Sequence, residues 1–367
     1  MRAPVSDNQD PVDAAIAAFA RGEIVVVTDD DDRENEGDLF VAASLCTPEK
    51  MAFIIRHTSG IVCAPVSAAD AKRLHLDPMV GANDAPLGTA FTVSVDCRHG
   101  LTTGISAEER TNTVRALANG NRGAADFVRP GHVFPLIGRE GGVLMRSGHT
   151  EACIDLCRLA NLPPVGVLSE LMNDDGTVMR GPAVAAFAGK HGLRTLSIAD
   201  LIAYRQAREK LVTRVGEFPV NSEIGELQGY AYMTPFDQVY HMAFVYGAIG
   251  DGLNVPARLH RADIIRDLFE GGKPIRAALA RFKTEKRGVI VLLRDGTAGV
   301  PIQAIPRPDH VSSEEARVRQ WREVGLGAQI LKDLGISSIR LLASARLTYV
   351  GLGGFGIEIA GTELLEA

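Results

Sequence analysis

Apolar and polar residues in this chain repeat with two periods, and the switches between them mark its elements. Asp13–Arg21 reads as an Ala-rich helix stopped by Gly22, followed by the β-branched strand Glu23–Thr28. Beyond an acidic loop, Asp29–Asp38, the run Leu39–Ala43 reads as a second strand. Thr47 caps a helix that opens on Pro48 and runs to His57. Gly60–Val66 and the alternating Phe91–Asp96 read as strands, and Ser106–Glu109 forms a capping box opening a helix that ends at Asn119–Gly120. His149–Ala160, Ala183–His191 and a segment from Ser197 read as helices, with the buried strand Val165–Leu168 between the first two. This interleaving predicts a mixed α/β domain.

Around Gln206–Arg214 the pattern turns to charged, helix-ending residues, and a strand-rich unit begins. Tyr240–Ile249, Gly288–Leu293, Ile339–Leu342 and Gly354–Ile359 read as its strands, and Val324–Leu334 as an amphipathic helix. The predicted fold class is α/β (mixed α+β), in two domains, 1–206 and a smaller 207–367.

Composition narrows the function classes. With 367 residues, 46% hydrophobic and 23% charged, the chain can build cores without disulfide or metal staples. A net charge of −6 and 5% aromatic residues oppose a nucleic-acid partner. Met1–Asp10 has no apolar run, and no apolar stretch approaches a membrane span, so a cytoplasmic protein with no membrane partner is expected. Five cysteines without a paired framework read as reduced thiols. Cys153 and Cys157, one helical turn apart, lack a second Cys/His pair and read as buried helix residues.

Two clusters carry candidate chemistry. Thr28–Asp38 (TDDDDRENEGD) packs seven carboxylates and Arg33 between two hydrophobic strands. Such a run is either a solvated acidic loop or a site where a hard cation relieves the repulsion, with Arg33 offering a donor fork to phosphate or carboxylate. The second cluster is Arg129–Pro130–Gly131–His132 with Arg146–Ser147–Gly148–His149–Thr150, where backbone N–H groups at a helix start suit an anion. Each histidine taken alone is more often structural. Glu170 falls at a strand end, where α/β sites gather.

DDDDRENEGDL, TTGISAEERTNT, RPGHVFPL and GHTEACIDL, occurring in that order, resemble the 3,4-dihydroxy-2-butanone 4-phosphate synthase family of riboflavin biosynthesis. The resemblance covers about residues 12 to 205. It implies conversion of ribulose 5-phosphate into the four-carbon phosphate and formate, with Mg²⁺ or Mn²⁺ stabilising enediolate intermediates. By the same resemblance Arg33 and Glu34 contact substrate and metal, Asp38 contacts substrate, and His149 is the second metal ligand. Arg146, Ser147, Gly148, His149 and Thr150 form the substrate loop, much of it serving the phosphate. His132 and Glu170 fall on the two positions essential to catalysis, Glu170 also touching substrate, while Glu36 tunes the metal from outside its ligand shell. The family implies a homodimer with active sites near the interface.

In the second half, GLGAQIL, DLGISSIRLL and GLGGFGIEIAG resemble GTP cyclohydrolase II. That family holds zinc with three cysteines, yet no cysteine follows Cys157. Its RVHSE-type segment stands here as Arg258–Leu259–His260–Arg261–Ala262, without the acid, and Gln320 replaces the acid two residues before Arg322. A zinc site built from His241, His260 or His310 is the remaining alternative. The expectation is a degenerate domain without zinc. The rival readings are a bifunctional enzyme that also opens GTP, and a silent scaffold or ligand sensor.

Overall fold

The computed structural model describes residues 10–29, 35–85, 88–235, 239–294, 325–344 and 357–365. Expectations for Asp30–Asp32, Arg33, Glu34, His310, Gln320 and Arg322 lie outside these residues. The chain folds as two compact units that meet in sequence at Tyr204 and Arg205.

The first unit begins with α1 (Pro11–Ala20), β1 (Val25–Thr28), β2 (Gly37–Ala42), α2 (Pro48–His57), β3 (Cys63–Val66) and α3 (Ala68–Arg73). It continues with β4 (Val95–Cys97), α4 (Ala107–Leu117), β5 (Phe127–Ile137), α5 (His149–Leu159), β6 (Gly166–Glu170), α6 (Pro182–His191), β7 (Arg194–Ser197) and α7 (Ile198–Arg208). Local chemistry starts the helices. Asp10 accepts the Val12 N–H ahead of Pro11, and Thr47 accepts the Lys50 N–H ahead of Pro48. The strands form a mixed sheet in the order β4-β5-β3-β6-β2-β1-β7. Val26, Leu39, Val41, Ala64 and Val167 from its strands join Met51, Ile54, Val114 and Leu117 of α2 and α4 in one core. Helix α5 packs against β2, β3 and β6 and is buried along most of its length.

Several local expectations need correction. Glu36 to Asp38 are not loop: Glu36 bridges to Arg180, and β2 starts at Gly37 because Thr28 pairs with Gly37 and Val27 with Asp38. The strand expected from Gly60 starts at Cys63. Phe91–Asp96 is not one strand: Phe91 bridges to Leu136, Thr92 to Pro78, and only Val95–Cys97 is regular. Its hydrogen bonds go to two different neighbours, so alternation did not secure a single ladder. Ser106 does cap α4, accepting the Glu109 N–H, but the Glu109 carboxylate takes the Thr102 N–H and the Thr102 and Ser106 hydroxyls. Strands β5 and β7 have no counterpart in the sequence reading, Pro130, Gly131 and Pro135 breaking the strand signal of β5.

The second unit contains the hairpin β8 (Thr213–Ser222) and β9 (Gly225–Met233), then β10 (Tyr240–Gly247), β11 (Val255–Arg261), α8 (Lys273–Glu285) and β12 (Arg287–Leu293). A helix over 325–333, α9, precedes β13 (Ser338–Ala343) and β14 (Glu358–Leu364). Among the described residues they form a sheet in the order β14-β13-β11-β12-β10-β9-β8, parallel from β14 to β12 and antiparallel beyond.

Candidate active site

The sheet of the first unit brings distant acids together. Asp38 on β2 and Glu170, the last residue of β6, are direct antiparallel partners, so their side chains rise side by side on one face. Helix α5 sets His149, its first residue, above them, with Nε2 3.9 Å from Asp38 Oδ1 and the ring edge-on to Phe40. Asp38 and His149 are both buried. Glu36, Asp38, Cys63, Arg146, His149, Thr150, Leu168 and Glu170 line one cleft. This cleft gathers the described members of the expected substrate set that carry charge.

Neighbours fix these side chains. Ser59 donates to Glu170 Oε2 at 2.8 Å, while its N–H donates to the Glu170 carbonyl. Arg180 donates to Glu36 Oε1 at 3.0 Å, and Asp29 accepts the Glu36 N–H. Gly148 caps α5 without a side chain, and a Cβ there would lie 2.2 Å from Arg146 Nη1, so that guanidinium would have to shift. Ser147 and Thr150 beside it are buried. Cys63 stays a neutral thiol, its pKa pushed up by burial and further by Glu170 and Asp38. All five cysteines are buried and free, and Gly166 gives room to Cys153, whose sulfur a Cβ would meet at 2.1 Å.

His132 is not among the residues that line this cleft. Val95 pairs with Val133 but Asp96 pairs with Val128, so Arg129–His132 bulges out of the β4/β5 ladder. Gly131 is required there, since a Cβ would meet the Val95 and Asp96 backbone at 2.0–2.4 Å. Buried Asp96 clamps the bulge, accepting the His132 N–H at 2.8 Å and meeting its Nδ1 at 2.7 Å. Donation from Nδ1 directs the Nε2 lone pair outward, on a side chain 41% exposed. The sequence singles out neither Asp96 nor Ser59 as a site residue. Their only sequence signals are an acid ending an alternating run and a serine following a helix, both too common to single out.

Among the described residues no three His, Cys, Asp or Glu side chains are grouped closely enough to hold a metal ion. Glu34 lies outside them, and His149 is the described member of the expected pair. An imidazole nitrogen beside carboxylate oxygens is a donor set that fits a divalent cation.

The second unit gathers polar groups at the end of β11. Arg258 Nε donates to His260 Nδ1 at 3.3 Å, and His260 Nε2 meets the Asp267 carboxylate at 2.9 Å. Burial keeps His260 below its ordinary pKa. His260 and Met242 share the partner Leu292 across neighbouring strands, so His241 points to the opposite face of the sheet from His260. These two histidines cannot ligate one ion.

A family model described as 3,4-dihydroxy-2-butanone 4-phosphate synthase matches residues 13–204, and one described as GTP cyclohydrolase II matches residues 213–363. The monofunctional riboflavin biosynthesis protein RIBA 2, chloroplastic, of Arabidopsis thaliana is 44% identical, covering 95% of this chain and 75% of that protein. The bifunctional riboflavin biosynthesis protein RIBA 1 of the same plant is also 44% identical, covering 95% and 67%. Among solved structures, RibBX, a two domain 3,4-dihydroxy-2-butanone 4-phosphate synthase from A. baumannii, matches with a TM-score of 0.79 at 35% identity, covering 97% of this chain and 99% of that one. A synthase in complex with two magnesium ions matches with a TM-score of 0.54 at 45% identity, covering 55% and 98%. No described helix is long and apolar enough to cross a membrane. The chain belongs to the 3,4-dihydroxy-2-butanone 4-phosphate synthase family and is a lyase that converts ribulose 5-phosphate into 3,4-dihydroxy-2-butanone 4-phosphate and formate in riboflavin biosynthesis.

Proposed function

We propose that the synthase reaction belongs to residues 1–206 and runs in the cleft under α5. The observation that carries this reading is the cross-strand pair Asp38–Glu170 beneath His149 and beside Arg146. Arg33, Glu34, Asp38, Glu170 and the loop Arg146–Thr150 bind substrate. Arg146 and the N–H groups opening α5 take the phosphate. Glu34 and His149 hold a divalent ion, Mg²⁺ or Mn²⁺, an assignment supported by the related synthase that binds two magnesium ions. When bound, that ion supplies Lewis-acid stabilisation of charge developing on adjacent substrate oxygens.

The chain's own groups move the protons. Glu170, oriented by Ser59, exchanges a proton with the carbon or hydroxyl nearest the carbonyl, and Asp38 orients hydroxyls. His132 acts through Nε2, with Nδ1 committed to Asp96. The family resemblance supports a homodimer with active sites near the interface. Enzyme action takes place in the cytoplasm.

The domain over 207–367 is cyclohydrolase II-like and inactive. Support comes from the absence of any cysteine after Cys157 and from Ala262 and Gln320 at the acid positions. The internal engagement of His260 points the same way. Two assays on one preparation test both halves: formate release from ribulose 5-phosphate, with and without chelator, and formate release from GTP. Chelator-insensitive synthase activity rejects the metal assignment. Formate from GTP, with zinc retained through purification, restores the bifunctional reading.

A further inference from the structure

Glu151 is a charged residue of the first unit that the proposed mechanism leaves without a role, yet it is 1% exposed. It stands three residues after the Gly148 cap of α5, where a glutamate ordinarily reaches back to the cap N–H. Here the carboxylate turns to the preceding loop instead. Oε1 accepts the Arg139 N–H at 3.0 Å, and Oε2 accepts from Arg146 Nη1 at 2.8 Å. One turn further along the same helix face, Asp155 Oδ2 accepts the Val143 N–H at 2.8 Å. Two buried carboxylates of α5 therefore hold the segment from Arg139 to Arg146. Gly148 adds a steric condition, since a Cβ there would also lie 2.8 Å from Glu151 Oε2.

An arginine side chain carries rotamer freedom that binding must freeze. A buried acid that grips one edge of the guanidinium freezes it in advance, and the five-donor fork can serve a carboxylate and a phosphate together. We infer that Glu151 is a positioning residue for substrate phosphate, acting through Arg146 and without touching the reacting carbons. The inference rests on the reading of Arg146 as a phosphate contact. Because a remote phosphate contact is mostly uniform binding, the effect falls on KM more than on kcat.

Steady-state kinetics on the full chain test this with Glu151→Gln, Arg146→Ala and the double variant. Glu151→Gln keeps the shape but turns a neutral amide toward Arg146; KM for ribulose 5-phosphate should rise about tenfold or more, with kcat within about threefold. Arg146→Ala should raise KM at least as much, and adding Glu151→Gln to it should change KM little, since both act through one contact. Val114→Ala, a core change in α4, serves as the stability control and should lower Tm with KM unchanged. An unchanged KM in Glu151→Gln, or additive effects in the double variant, overturns the inference while Arg146 keeps its role. An unchanged KM in Arg146→Ala instead rejects the phosphate reading itself. If Glu151→Gln does not fold, Glu151→Asp, charged but one methylene shorter, should show an intermediate KM. Failure of both to fold assigns Glu151 to the core and also overturns the inference.

Discussion

The cleft of the first unit and the polar cluster of the second sit at comparable places, near the ends of strands in a sheet, and use similar residues. In the first, Asp38, His149 and Glu170 converge on one cleft, where Ser59 donates to Glu170 and Phe40 meets the His149 ring edge-on. In the second, Arg258, His260 and Asp267 converge on each other, closing a chain from the Leu342 carbonyl to the Asp267 carboxylate. Similar residue types thus make either a cleft lined by polar groups or a cluster that bonds to itself. The difference is whether imidazole and carboxylate line a cleft or hydrogen-bond to one another.

This contrast can be broken in order of effect. The largest change is expected from His149→Ala and Glu34→Gln, each lowering formate release from ribulose 5-phosphate by about 10³-fold or more, with Mg²⁺ no longer restoring chelated enzyme. Either variant turning over near normally removes that residue from the proposed site. The matching change in the second unit, His260→Gln, should leave formate release untouched and lower Tm by a few degrees, from loss of a buried hydrogen bond at about 1–3 kcal/mol. Loss of synthase activity there at unchanged Tm would reject an internal, structural cluster.

Next in size is Asp96→Asn. It disturbs the acceptor to which His132 Nδ1 donates and should lower kcat by roughly 10²-fold, with little change in KM. An unaltered kcat would make the His132–Asp96 pair merely structural.

Acid stability separates the units further. Burial, with Arg294 adding to it, pushes His241 down to about 4. The unfolded chain therefore binds the proton more readily than the folded one. Stability is complete above the ordinary histidine pKa of about 6.5 and is lost as pH falls toward 4, by about 3 kcal/mol at most. Urea unfolding followed from pH 7 to pH 4 should show this loss in the second unit, and His241→Gln should flatten it. The smallest effect belongs to Ser59→Ala, which removes one hydrogen bond to Glu170 and should lower kcat a few-fold, about 1 kcal/mol. A larger fall would make Ser59 more than a support.

The sequence by itself determined the helix starts at Pro48 and just after Ser106, because caps and prolines act within one turn, whereas the first helix opens at Pro11, two residues before the expected Asp13. It also determined the chemical motifs, the burial of Cys153 and Cys157 in one helix, and the absence of thiolates after Cys157. Alternation failed where a strand changed partners, at Phe91–Asp96, and where prolines and a glycine interrupted β5. Only the tertiary structure decided that Asp38 faces Glu170, that Ser59 orients Glu170, that Asp96 clamps His132, and that His241 and His260 lie on opposite faces. Each of these depends on strand register or long-range pairing, and a shift of one residue would turn the side chain to the other face. A motif names the residue that carries the chemistry; its partner is chosen by whichever strand the sheet sets beside it.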